Sequence, residues 1–129
     1  MNTANENCLV VLVEDDEGIR SAFAEVLQAE GYEVLAFANG REALDGLDRS
    51  PCLILLDWMM PVMSGRQFLE ARSTSRNATE SPVVVVSAME PDPVPGVDGL
   101  VGKPIDVESL LSVVRRYCRH GRAPACSTA

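Results

Sequence analysis

The sequence predicts an α/β domain built on an open parallel sheet with helices on both faces, and three observations carry that prediction. Short apolar runs dense in β-branched residues alternate with segments of helical period. Three of the four clearest runs are nearly all apolar, which suits strands covered on both faces. The 129 residues suffice for one domain with its own core and leave no room for a second folded one.

The first run, Leu9 to Val13, is followed by Ile19, Phe23, Val26 and Leu27 at helical spacing, with Gly31 as a C-terminal stop. A second strand spans Glu33 to Phe37, after which Asn39 caps a short helix carrying Ala43, Leu44 and Leu47. Leu53 to Leu56 is the third strand, and Gly65 to Arg72 a helix with Phe68 and Leu69 inward. Val83 to Val86 is the fourth strand, and Val97 to Val101 a weaker fifth. Asp106 then precedes a helix carrying Val107, Leu110, Leu111, Val114 and Cys118; Arg115, Arg116 and Arg119 in its last turns suit the negative end of the dipole. Residues 1–7 are expected to be a flexible N-terminus, 8–120 the folded domain, and 121–129 a flexible tail with no output domain.

Charge narrows the function. Eleven Lys+Arg against nineteen Asp+Glu give a net charge of −8, the wrong sign for sequence-independent attraction to nucleic acid or anionic lipid. Ten of the eleven bases are Arg, and Lys103 is the single lysine. The four cysteines lack C-x-x-C pairing and His120 is the lone histidine, so structural zinc is effectively excluded. Neither a signal-peptide pattern nor the roughly 18 to 20 apolar residues of a membrane span is present. The expectation is a cytoplasmic protein with reduced thiols.

Open parallel sheets place their sites at the carboxyl ends of the strands. Those ends carry Glu14-Asp15-Asp16, Asp57, Ser87 and Lys103-Pro104. Converging carboxylates repel by about 4 kcal/mol per pair at ~4 Å and an effective dielectric of about 20, so a cation must offset them. Hard oxygen ligands suit Mg²⁺ with open positions for a phosphoryl group. Lys103 adds a fixed positive charge and Ser87 a hydroxyl, which together describe phosphoryl transfer to a carboxylate nucleophile, Asp57. Asp16 and Glu17 read as a helix cap and a first-turn acid, and His120 as a charge near a helix C-terminus. A dinucleotide site is excluded because acids, not a glycine-rich turn, follow Val13.

The stretches Val11-Leu12-Val13-Glu14-Asp15-Asp16, Leu55-Leu56-Asp57-Trp58-Met59-Met60-Pro61, Val86-Ser87-Ala88 and Val101-Gly102-Lys103-Pro104, in that order, resemble the receiver domain of two-component response regulators. The resemblance covers about Leu9 to Arg119. It implies a flavodoxin-like, doubly wound five-stranded sheet of order 2-1-3-4-5. It implies that Asp57 accepts a phosphoryl group from a histidine kinase or phosphotransfer protein. Asp15, Asp57 and the backbone carbonyl of Met59 would bind Mg²⁺, Glu14 would help through water, and Ser87 and Lys103 would sense the aspartyl phosphate. The output would be phosphorylation-dependent contact with a downstream protein, with no enzymatic activity beyond self-phosphorylation and self-dephosphorylation. The Met60-Pro61 pair would serve loop packing, which argues against reading Met59, Met60 and Met63 as a soft-metal cluster.

Two departures matter. Ala88 to Gly96 holds prolines at 91, 93 and 95, which preclude a helix there, so the family's fourth helix is expected to be missing or degenerate. That loss should uncover one side of Val83 to Val86 and invite a partner or a homodimer. Leu100 stands at the switch position, where the family usually has an aromatic residue. Met59 and Met89, flanking the hydrolytic water's expected position, predict slow self-dephosphorylation. Two other readings are an interaction module of receiver shape that is not phosphorylated, and a metal-dependent phosphatase with an aspartyl nucleophile. The latter wants a second Asp where Met59 stands.

Overall fold

The computed structural model describes residues 8–47, 51–58, 63–72, 81–87, 97–103 and 105–121. Strands β1 (Leu9–Val13), β2 (Glu33–Phe37), β3 (Leu53–Asp57), β4 (Val83–Ser87) and β5 (Gly99–Gly102) interleave with helices α1 (Glu17–Ala29), α2 (Gly40–Gly46), α3 (Gly65–Arg72) and α4 (Val107–Gly121). The strands form one sheet of order β2-β1-β3-β4-β5, parallel throughout, as the resemblance implies.

Helix boundaries follow from local chemistry. Asp16 caps α1 by accepting the Ile19 N–H at 3.0 Å, and Gly31 turns the chain beyond it at φ 96°. Asn39 caps α2 through the Glu42 N–H at 2.9 Å. Ser64 and Gln67 close a reciprocal capping box at the start of α3, with bonds of 3.2 and 2.9 Å. Asp106 accepts the Ser109 N–H at 2.7 Å at the start of α4.

The period of two along each strand divides the core between the sheet's faces. Val10, Leu12, Leu53, Leu55 and Val84 pack with Leu27 of α1 and Leu110 and Val114 of α4. Val11, Val13, Ile54, Leu56, Val83 and Val85 pack with Ala43 of α2 and Phe68 of α3. Burying apolar side chains on both faces contributes about 1.5–3 kcal/mol for each large residue, and is why β1, β3 and β4 read as unbroken apolar runs.

Four expectations need correction. β5 starts at Gly99 rather than Val97, because the Asp98 carboxylate takes the Val83 N–H at 2.8 Å in place of a ladder carbonyl. β4 has no bare side: Val83, Val84, Val85 and Val86 are all buried, since Val84 faces the α1–α4 layer while Val83 and Val85 pack beside Val97 and Phe68. The homodimer expectation loses that support. α4 runs one residue beyond the expected boundary, to Gly121. Cys8 and Cys118 form no disulfide, as expected, whereas Cys52 is disulfide-bonded. The missing-helix expectation falls on residues 88–96, outside those described; among the described residues no helix stands between β4 and β5. No helix of the described residues is long and apolar enough to cross a membrane.

Candidate functional site

The sheet order reverses between β1 and β3, so their carboxyl ends open a crevice between diverging connections. Val13 pairs with Leu56, which sets Glu14 beside Asp57 one step further along. The Glu14 N–H donates to the Phe37 carbonyl at 3.0 Å, and the Glu14 carbonyl accepts from Arg20 Nη1 at 2.8 Å. Glu14 Oε2 accepts the Asp16 N–H at 3.1 Å, which folds the acidic turn back on itself. Arg20 is thus a clamp on this turn that the sequence reading missed; it shares a helix with the core residues and carries no motif of its own.

From the other side, Ser87 ends β4 and its carbonyl accepts the Lys103 N–H at 2.8 Å, delivering Lys103 across the crevice. Lys103 Nζ lies 3.1 Å from Asp57 Oδ1 and 3.5 Å from Glu14 Oε1. Glu14 and Asp57 are each 3% exposed, while Asp15 is exposed at the mouth. Glu14, Asp15 and Asp57 each offer an oxygen within 4.8 Å of the others. Leu100 lies apart, 46% exposed on the edge strand β5. Met59 falls outside the described residues, as does Met89.

These carboxylates are too close to ionise independently. Burial pushes Asp57 up to about 7, the hydrogen bond with Asp15 adds to the rise, and Lys103 opposes it. Asp15 is lowered, first by that hydrogen bond with Asp57, so the two titrate as a pair that favours a single shared proton. Burial works against the charge on Lys103, but Asp57 and Glu14 outweigh it and its pKa is raised. The donor set fits a hard divalent cation: oxygen ligands only, two buried and one at the solvent mouth, with a proton held in the cluster where a cation would substitute for it.

The residue after Asp57 is fixed as well. The Trp58 N–H donates to the Val86 carbonyl at 3.1 Å, and the Trp58 carbonyl accepts the Gly65 N–H at 3.0 Å. The indole lies against Gly65, where a Cβ would stand 2.4 Å from the ring, and Arg66 sits over it at 5.8 Å.

The family model described as "Response regulator receiver domain" matches residues 10–115. The chain belongs to the response regulator receiver family. This receiver domain is 35% identical over 117 residues to the uncharacterized transcriptional regulatory protein YkoG of Bacillus subtilis, covering 85% of the chain and 50% of that protein. Over 115 residues it is 31% identical to the polar-differentiation response regulator DivK of Brucella anthropi, covering 84% of the chain and 94% of DivK. Among solved structures, the Vibrio cholerae chemotaxis protein CheY4 superimposes with a TM-score of 0.76 at 30% identity, over 85% of the chain and 98% of that structure. The chain spans about half the length of the first curated relatives it matches, YkoG and the CpxR regulators, and most of DivK.

Proposed function

We propose that this receiver domain accepts a phosphoryl group on Asp57 from the phosphohistidine of a histidine kinase or phosphotransfer protein, in a Mg²⁺-dependent reaction. The observation that carries the reading is the placement of Lys103 Nζ, 3.1 Å from Asp57 Oδ1 at the mouth of a cluster of three carboxylates. A carboxylate oxygen of Asp57 attacks phosphorus as the P–N bond breaks, and its electron pair leaves on the imidazole nitrogen, which is protonated. Lys103 bears a fixed charge that takes up a phosphoryl oxygen, and Ser87, at the end of β4, supplies a hydroxyl donor for another. Asp15, Asp57 and the Met59 carbonyl would hold Mg²⁺, with Glu14 acting through water; the ion supplies charge neutralisation to the transferring group. Leu100, exposed on β5, holds the switch position without the aromatic ring by which receivers usually report phosphorylation, so the family's usual readout to a downstream protein is not available to it.

Trp58, adjacent to Asp57, gives the test. Its fluorescence is titrated with Mg²⁺ and then with acetyl phosphate, with intact mass followed in parallel. A fluorescence change and a mass gain of one phosphoryl group, both lost in Asp57→Asn, are the expected result. Unchanged mass in the wild type would reject phosphorylation in favour of an unphosphorylated interaction module, and turnover of small phosphomonoesters would point to the phosphatase reading.

A further inference from the structure

Among the described residues, two sets of side chains at opposite ends of β3 have the chemistry of metal ligands. At its foot the sulfurs of Cys8, Cys52 and Cys118 lie within 4.8 Å of one another, but Cys52 is engaged in a disulfide and is no thiolate ligand. At its head stand Glu14, Asp15 and Asp57, and of these Asp15 is the one held neither by burial nor by a strand ladder. It is exposed, in the bend between β1 and α1, yet its carboxylate reaches the hydrogen bond with Asp57.

The backbone on either side of Asp15 accounts for this. The carbonyl of the peptide unit before it, that of Glu14, accepts from Arg20 Nη1 at 2.8 Å. The N–H of the peptide unit after it, that of Asp16, donates to Glu14 Oε2 at 3.1 Å. The Arg20 N–H in turn donates to the Asp16 carbonyl at 2.8 Å. One half-buried residue of α1 thus grips the acidic turn on both sides of Asp15. We propose that Arg20 is the positioning residue of the metal site: by holding the peptide unit between Glu14 and Asp15 against α1, it keeps the Asp15 carboxylate aimed at Asp57 and so raises the affinity for Mg²⁺. This inference rests on the reading of the three carboxylates as a Mg²⁺ site. A ligand residue in an irregular bend loses backbone freedom when an ion fixes it, and that loss weakens binding unless the bend is already held. The charge of Arg20 acts in the opposite direction, since a guanidinium near the site repels a cation. The two roles therefore differ in sign. Removing a positioning residue weakens Mg²⁺ binding, whereas removing a mere charge strengthens it.

The full chain and its Arg20→Met and Arg20→Lys variants are titrated with Mg²⁺ at pH 8 by isothermal calorimetry, each checked for native circular dichroism. Arg20→Met should bind Mg²⁺ about tenfold more weakly than the wild type, the scale expected for outer partners of metal ligands. Arg20→Lys should recover part of that loss, because an ammonium on a similar stem can still donate to the Glu14 carbonyl. Arg20→Gln replaces Arg20→Met, with the same expectation, if the latter loses its native spectrum. In EDTA, with no metal involved, exchange of the Asp16 amide hydrogen followed by NMR should quicken several-fold in Arg20→Met while the amides of β1 and β3 keep their protection. Phosphorylation by acetyl phosphate should need correspondingly more Mg²⁺ in Arg20→Met and approach the wild-type rate when the ion is saturating, a split that a general loss of structure would not give. Mg²⁺ binding in Arg20→Met as tight as in the wild type, or tighter, overturns the inference, as does unchanged exchange at Asp16. A wild type that binds no Mg²⁺ rejects the metal reading itself and the inference with it, and that failure shows in the wild type rather than in the variants.

Discussion

β3 joins two buried clusters of opposite chemistry, with Cys52 at its foot and Asp57 at its head. Exposure is nearly the same at the two ends, 4% and 3%. At the foot, a thiol stays neutral in apolar surroundings at little cost, so sulfurs can gather without a counter-charge. At the head, a carboxylate stays buried only by holding a proton or facing a cation. Asp57 does both: it is pushed up to about 7 and lies 3.1 Å from Lys103 Nζ. Equal burial therefore produces a packed core at one end and a cluster that attracts a cation at the other.

The strongest way to break this comparison is to neutralise the head of the strand. Because the folded-state pKa of Asp57 is raised from 3.8 to about 7, the folded chain binds more protons than the unfolded chain across that interval. Stability from this group is therefore present at low pH and lost as pH rises from about 4 to 7. Asp57→Asn removes the charge in EDTA, and we expect it to stabilise the protein by about 2 kcal/mol at pH 8 and to be near neutral at pH 4. Asp15, shifted downward, contributes with the opposite sign, so the difference between wild type and variant is the quantity to measure, by urea denaturation at the two pH values. An Asn variant less stable than wild type at pH 8 would mean that Lys103 already compensates the buried charge in full.

Removing the cation sharpens the same point from the other side. Lys103→Met leaves Glu14 and Asp57 facing each other without the ammonium. With Lys103 26% exposed, solvent screens the loss, and we expect about 1–2 kcal/mol of destabilisation at pH 8 in EDTA. The loss should shrink toward pH 5, as Asp57 takes up its proton, and on addition of Mg²⁺. Thermal melts at both pH values, with and without Mg²⁺, check it.

The head of β3 was readable from the sequence because each participating strand ends on a residue whose type is unusual there. Glu14, Asp57, Ser87 and Lys103 each close an apolar run, and the parallel alternation puts those closures on one edge. The foot was not readable. Cysteine spacing reports only local motifs, whereas Cys8 and Cys52 meet through the register pairing Val10 with Leu53, and Cys118 arrives on a helix that crosses the sheet's face. The bare side expected of β4 failed for a related reason. Val83 and Val85 are covered in part by Val97, a residue read as strand but serving as a cover beside Asp98, which the sequence does not distinguish. Met59, which lies outside the described residues, was expected to act through a backbone carbonyl, for which no side-chain signal exists, and only the resemblance to receivers singled it out.

The smallest effect belongs to the foot of the strand, and its lack of pH dependence is the informative part. Cys118→Ala deletes one buried sulfur from the layer between α4 and the sheet, leaving a small void beside Cys8 and Val114. A loss of about 1 kcal/mol is expected from the missing apolar contact and the cavity. Burial raises the Cys118 thiol, so the side chain is neutral at both pH 5 and pH 8 and the loss should be the same at the two. Urea denaturation of the wild type and variant at both pH values measures it, run beside Asp57→Asn. A Cys118→Ala loss that changed with pH would place a charged sulfur at the foot of β3 and remove the contrast with its head.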